Sequence, residues 1–362
     1  MIDISLAPER YIQKEGILSE TGNYVKGYGR RPMVLGDALV FSLVRPTLEE
    51  VLSKAGLLPV FVLFGGECSP GEVQRLTEMV RQENIDFVVG VGGGRVLDTS
   101  RVVAGRAKRP LVTLPTCAST CSAASSVAVI YEKGVRQEIF NGKGPDLVLV
   151  DTSIISKAPA RLLAAGMGDA LAKWYEGKPI HDHMKDRDSA TDAAMNLSTQ
   201  IKETIFTFGL EAKADVDQGR DSQAVRRIIE ANILLPAIVS GLGARLRAAV
   251  AHGLLYGLGP IVHVDQNLHG DIVAFGMIVQ LCLEKKEEEL TTILPFFSKL
   301  GLPLTMKALG AASLDDPAVW EGLNRTCGKG STVHTMPFPI NPKMLLEGIQ
   351  EAERRAEALR GR

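Results

Sequence analysis

The 362-residue sequence predicts an α/β N-terminal half built on a parallel sheet, followed by an all-α C-terminal half. Three observations carry that prediction. Through residue 158, short apolar runs alternate with helical stretches, which is the pattern of a parallel sheet covered by helices on both faces. From Pro159 onward, long helical patterns take over. At 39.0 kDa the chain also exceeds one ordinary core, so two domains are expected, residues 1–158 and 159–362. A cleft between such halves is the usual place for a ligand.

The strands are expected at PMVLG (32–36), VFVLFG (60–65), FVVGVGGG (87–94), LVTLP (111–115) and LVLVD (147–151). Within this half, SVAVIYEKGVRQEIF has two β-type runs around a Lys133-Gly134 turn signal and reads as an inserted hairpin. The helices of the second half are expected in APARLLAAGMGDALAKWYEG, DSQAVRRIIEANILLPAIVSG and GDIVAFGMIVQLCLE, and EGIQEAERRAEALRGR reads as a terminal helix with a charged, solvated face. The chain has no internal repeat and no low-complexity linker.

Composition narrows the function. Lys plus Arg (41) nearly balance Asp plus Glu (42), which removes the electrostatic case for nucleic acid or an anionic membrane as partner. A small-molecule substrate is the expectation. Apolar stretches such as Pro59 to Phe64 and Ile272 to Leu283 are broken well before the ~20 residues that span a bilayer. The N-terminus, MIDISLAPERYIQKEG, lacks the pattern of a signal peptide. Five scattered cysteines (Cys68, Cys117, Cys121, Cys282, Cys327) fit free thiols in a reducing compartment, and the cytoplasm is the expected location.

The segment FVVGVGGGRVLDTSR puts Gly92, Gly93 and Gly94 where a buried strand turns into a helix. Without Cβ atoms such a turn lets the backbone approach a pyrophosphate, with free N–H groups and the positive helix end facing the charge. The spacing is not the usual G-x-G-x-x-G, and glycines at such turns often serve tight packing alone. Asp37, after the first predicted strand, stands where an acid bonds an adenosine ribose hydroxyl, favouring NAD over NADP; an ordinary turn aspartate is the competing reading. In LPTCASTCSAASS, Thr116, Ser119 and Thr120 supply hydroxyls suited to a cofactor, or to a turn-rich loop.

With six histidines in the chain, placement is informative. His252 lies in the helical stretch AAVAHGLLYGL and His269 opens another, while Asp169 sits among Gly166, Met167, Gly168 and Ala170, off any obviously solvated face. A buried carboxylate must be paired, protonated or bound to metal. One carboxylate and two imidazoles would hold a divalent ion, zinc or ferrous iron, with a position left open for catalysis; a satisfied core or surface histidine is the competing reading of each imidazole taken singly. His181, His183 and His263 are read as surface or loop residues.

Several strings in one order carry a resemblance: FGGECS (64–69), GVGGGRVLDTSR (90–101), LPTCASTCS (114–122), APARLLAAGMGDALAKWYE (158–176), AH (251–252), HGDIVAFGMIVQL (269–281) and HTMPFPINP (334–342). Together they resemble the glycerol dehydrogenase branch of the iron-containing alcohol dehydrogenase superfamily over nearly the whole chain. The resemblance implies a Rossmann-like N-terminal domain with an all-α C-terminal domain, the dehydroquinate synthase-like fold. It implies a metal held by Asp169, His252 and His269, with NAD(P) across the glycine turn. Asp98, Ser125, Val127 and Tyr131 join the residues named above as implied cofactor contacts. Homo-oligomers from dimer to octamer are implied as well.

The sequence departs from the glycerol enzymes near the substrate. Cys121 stands where the family's ASTD string has aspartate, and Leu255 and Tyr256 in AHGLLYGL replace a histidine and a polar residue. Arg245 and Arg247 precede the metal helix, and Lys173 lies in GDALAKWYE. These features are similar to a hydroxycarboxylate dehydrogenase branch, and an arginine fork matches a carboxylate; plain surface charges on a helix are the competing reading of both arginines. Cys121, counted also among the catalytic residues, would with Lys173, Arg245 and Arg247 shape substrate choice. Three readings stand: a polyol dehydrogenase, a 2-hydroxy acid dehydrogenase, and a catalytically silent binding homologue. The strings match a lyase of the dehydroquinate synthase type poorly.

Overall fold

In the computed structural model, which describes residues 4–133, 135–262, 267–311 and 313–360, the N-terminal half contains β1 (Tyr11–Lys14), α1 (Thr21–Val25), β2 (Pro32–Gly36), α2 (Ala38–Lys54), β3 (Val60–Leu63), α3 (Pro70–Gln82), β4 (Phe87–Gly92), α4 (Gly94–Ala107), β5 (Leu111–Pro115), β6 (Val127–Glu132), β7 (Val135–Asn141), β8 (Leu147–Asp151) and α5 (Thr152–Ile155). The helical half follows with α6 (Ala160–His183), α7 (Ser189–Asp217), α8 (Gln223–Ile229), α9 (Leu235–Leu242), α10 (Val250–Leu258), α11 (His269–Glu284), α12 (Glu287–Leu300), α13 (Pro317–Thr326) and α14 (Pro342–Arg360). Among the described residues, no helix is long and apolar enough to cross a membrane.

Six strands form one parallel sheet in the order β1-β8-β5-β4-β2-β3. β2, β4, β5 and β8 are buried at every position, which is why they read as continuous apolar runs rather than alternating ones. Successive side chains still point to opposite faces. Val34, Val89, Val91 and Val112 pack with Val44 and Leu48 of α2 on one face. Met33, Leu35 and Val88 pack with Leu76 of α3 and Val102 of α4 on the other.

β1 has no counterpart among the expected strands. Its sequence, YIQK, mixes apolar and polar residues because it is a half-covered edge strand beside β8. The expected hairpin is present as the antiparallel pair β6–β7, a separate two-stranded sheet. Its turn residue Gly134 lies outside the described residues.

The chain goes from β2 outward to β3 and then returns across β2 to β4, so strand order reverses between β2 and β4. In open α/β sheets the crevice outside the carboxyl ends of strands at such a reversal is where ligands bind. Here those ends carry Asp37 and Gly92 to Gly94. The helical half places its own chemistry opposite this crevice through close helix crossings. A Cβ on Gly270 would fall inside the Ala165 carbonyl, and one on Gly276 would meet the Ala251 Cα at 2.7 Å. Glycine at these two positions lets α11 pass against the backbones of α6 and α10.

Candidate metal centre and cofactor crevice

Asp169 stands in the middle of α6 and is 5% exposed, while His252 lies in the first turn of α10 and His269 is the first residue of α11. The crossings described above bring all three together. Asp169 Oδ1 lies 3.4 Å from His252 Nε2 and 3.4 Å from His269 Nε2. Among the described residues this is the one group of three ligand types whose donor atoms all lie within 4.8 Å of one another. Asp271, in the first turn of α11, accepts the Leu268 N–H at 3.0 Å and so fixes the start of the helix that carries His269.

Glu176 completes the arrangement, and the sequence reading missed it. It lies seven residues after Asp169 on the same helix and is fully buried. Its Oε2 sits 2.5 Å from His252 Nδ1, and its Oε1 accepts the N–H groups of Ala249 (2.6 Å) and His252 (3.0 Å). The signal was available: positions 169, 173 and 176 share one helix face, and a buried glutamate beside a candidate ligand has to be partnered. With Nδ1–H held by Glu176, Nε2 is the nitrogen turned toward Asp169 and the one left for a metal once its proton is displaced.

The electrostatics agree. Burial opposes a charge on His252, but the Glu176 and Asp169 carboxylates outweigh it and push the imidazole up to about 9. Burial also opposes ionisation of Asp169, yet His269, His252 and Lys173 hold its carboxyl well below the usual range. A site that so favours cationic neighbours around an anionic oxygen fits a divalent ion, and an oxygen-plus-two-imidazole donor set is one such ions accept.

The crevice on the opposite side is built from turns. Gly92 has φ +146°, a conformation open to glycine. Gly93 caps α4 and Gly94 begins it, leaving the first helical N–H groups without intrahelical acceptors. The Thr116 N–H donates to the Gly92 carbonyl at 3.1 Å, tying the ends of β4 and β5. Asp37 caps α2, with Oδ1 accepting the Val40 N–H at 2.8 Å, so one of its oxygens has the turn role weighed above. Ser119 Oγ lies 3.5 Å from Cys117 Sγ, and Thr120 Oγ accepts the Ser122 N–H at 3.2 Å. Ser125 Oγ accepts the Val127 N–H at 2.9 Å where β6 begins. Tyr131, further along β6, donates its N–H to the Cys68 carbonyl at 2.8 Å.

Cys121 lies between the two walls. Burial pushes its thiol up to about 11, with the Asp169 carboxylate adding to the effect and Lys173 opposing it. It is therefore a neutral thiol at physiological pH, not an activated nucleophile. Lys173 is 5% exposed; its Nζ donates to the Arg247 carbonyl at 3.3 Å, and it forms no ion pair among the described residues. Arg136, which the sequence reading passed over, reaches from β7 to lie 4.2 Å over the ring of Tyr256, one turn beyond His252. The hairpin thus touches the helix that carries a metal-site histidine.

The two arginines before α10 take different places. Arg245, in a short 3-10 turn (Ala244–Leu246), is on the surface with its guanidinium 3.3 Å from Asp186, in keeping with the surface-charge reading. Arg247 is half-buried and donates Nε to the Ser240 carbonyl at 2.9 Å. Of the other histidines, His181 and His183 sit in the last turn of α6 rather than in a loop, with His181 2.8 Å from Asp192. His263 lies outside the described residues. All five cysteines are free.

A family profile described as iron-containing alcohol dehydrogenase matches residues 8–152. The chain is similar to glycerol dehydrogenase of Thermotoga maritima, with 34% identity over 98% of each chain. It is also similar to glycerol dehydrogenase of Pseudomonas putida, with 36% identity over 96% of each chain. The crystal structure of glycerol dehydrogenase from Schizosaccharomyces pombe superposes with a TM-score of 0.90 at 27% identity, covering 98% of this chain and 91% of that one. With the triad, the glycine turn and full-length likeness together, the chain belongs to the iron-containing alcohol dehydrogenase family and is an oxidoreductase.

Proposed function

We propose that this protein is a metal-dependent, NAD-linked polyol dehydrogenase that interconverts a vicinal diol, such as glycerol, and its hydroxyketone. The observation that carries the reading is the convergence of Asp169, His252 and His269 opposite the glycine turn, in a chain similar at full length to glycerol dehydrogenases. The residues fit zinc or ferrous iron, and Asp37 favours NAD, with NADP the alternative. A homo-oligomer, from dimer to octamer, in the cytoplasm is part of the same reading, with domains meeting near residues 158 and 159.

Each group on the chain has a task in this reading. When bound, the divalent ion supplies Lewis acidity toward the reacting oxygen and the nicotinamide exchanges hydride with the carbon. Asp169, His252 and His269 hold the ion. Glu176 keeps the proton on His252 Nδ1, so that Nε2 remains a ligand. The N–H groups at Gly94 and the positive end of α4 bind the pyrophosphate. Asp98, Ser125, Val127 and Tyr131 line the path from that turn toward the triad, and Cys121 bounds the substrate there without a charge.

A second reading, a 2-hydroxy acid dehydrogenase, is favoured by one observation. Lys173 is a buried amine that, among the described residues, forms no ion pair and bonds the Arg247 carbonyl, and an anionic substrate group would satisfy it. Absorbance at 340 nm separates the readings when NADH or NADPH is offered with dihydroxyacetone, simple aldehydes and 2-oxo acids. Preferred turnover of dihydroxyacetone supports the polyol reading. Preferred turnover of 2-oxo acids supports the second, and no turnover by metal-loaded protein overturns both in favour of a silent homologue.

A further inference from the structure

Arg101 is the largest fully buried side chain among the described residues, and the functional reading above gives it no task. It lies two turns into α4, and side chains on a helix lean toward its N-terminus, which here is the glycine turn. Its guanidinium sits 2.8 Å from Asp98 Oδ1 and 3.2 Å from the Val127 carbonyl, and it also donates to the Ser122 carbonyl. Ser122 Oγ in turn donates its one proton to Asp98 at 2.5 Å, with the Gly94 carbonyl 3.3 Å away. The Nε has no partner among the described residues. One buried cation therefore ties together α4, the turn at Cys121–Ala123 and the first residue of β6.

These three segments occupy a definite place. Gly94 opens α4 at one end; at the other, the loop leading into Cys121 packs on α6, the helix of Asp169 and Lys173, where a Cβ on Gly166 would fall inside the Ala118 carbonyl and Asn232 bonds the Ala118 and Leu163 carbonyls together. A dinucleotide with its pyrophosphate on the glycine turn and its reactive ring at the metal triad must pass across them. The surface for the other half of the dinucleotide is held independently, by the Asp37 cap and the bond between Thr116 and Gly92. Removing the buried cation takes from Asp98 the charge paired with it and leaves only the Ser122 hydroxyl to hold it.

We propose that Arg101 is a positioning residue for the nicotinamide half of the cofactor: it touches neither cofactor nor substrate but fixes Asp98, the Cys121 turn and the start of β6 as one rigid surface. The inference rests on the NAD reading above. Its test compares the binding of NADH and of ADP-ribose, which lacks the nicotinamide, to metal-loaded wild type, Arg101→Lys and Arg101→Met, together with kcat. The expected result is that Arg101→Met weakens NADH at least about ten-fold and lowers kcat by about 100-fold, as a misplacement of about 1 Å does. ADP-ribose affinity stays within two-fold, and Arg101→Lys, which keeps the charge, recovers part of both losses. If the methionine variant does not fold, the lysine variant must show the same selective loss in milder form. Equal losses for the two ligands, or none, overturn the inference alone. Wild type that binds neither ligand overturns the NAD reading and the inference with it.

Discussion

Replacing Glu176 by glutamine changes one atom of a fully buried side chain and should nevertheless dismantle the metal site. The carboxylate accepts three hydrogen bonds, two from backbone N–H groups of Ala249 and His252 and one from His252 Nδ1. A glutamine oxygen can keep the first two. Its NH2 then faces Nδ1, so the imidazole relaxes by moving its proton to Nε2, the atom 3.4 Å from Asp169. That tautomer cannot ligate. Restoring the ligating form sets donor against donor in a buried site, a loss of about 1.5–3 kcal/mol for a hydrogen bond to a charged group. This corresponds to metal affinity weakened by about ten- to 100-fold, the usual range for such outer partners. Competition against a chromophoric chelator measures it, with a melting curve in excess EDTA to establish that the variant is folded. A folded Glu176→Gln protein that binds zinc within two-fold of wild type would refute this account of how His252 is held.

Three further outcomes follow from the same geometry. In metal-free protein the His252 pKa is raised from 6.5 to about 9, so its contribution to stability is complete below about pH 6.5 and lost as pH rises through about 9; melting in EDTA across pH 6 to 10 should show that decline. Over the same window metal competes with that proton, and zinc affinity should rise about ten-fold per pH unit up to about 9 and then flatten. Cys121, its thiol pushed up to about 11, should react slowly with iodoacetamide at pH 7.5 and faster toward pH 11, and Cys121→Ser should keep kcat within about ten-fold; a 100-fold loss would mean the thiol takes part in the chemistry.

What the sequence made legible follows the physics of each element. β2, β4, β5 and β8 announce themselves because strands covered on both faces are unbroken apolar runs ending at a turn. β1 does not, because an edge strand covered on one side needs only a few apolar residues. The helix expected across DSQAVRRIIEANILLPAIVSG is interrupted by a π turn at Glu230–Leu234, which a five-residue change of period leaves invisible in the pattern. Its Asn232 donates to the Ala118 and Leu163 carbonyls, joining the Cys117–Cys121 loop to α6.

At the site, the triad was readable because histidine is scarce and Asp169 sits among small residues. Glu176 and Arg101 were quoted within the matching strings without a role, since the partner that gives each its meaning is 76 residues away for Glu176 and 21 or 26 for Arg101. Arg245 shows how a helical spacing in sequence can be broken in space. Seven residues before His252 is one helix face if the helix is continuous, but a 3-10 turn and the break at Ala249 intervene, and the guanidinium ends on Asp186.

Turnover in this reading depends on an ion held by Asp169, His252 and His269. That dependence is tested most directly by stripping metal from the protein and following NAD reduction with glycerol at 340 nm, before and after adding back zinc or ferrous ion, in wild type and in Asp169→Asn. Stripping should abolish turnover, one of the two ions should restore it in wild type, and neither should restore it in Asp169→Asn although NADH still binds. Full activity in the metal-stripped wild type would contradict that dependence.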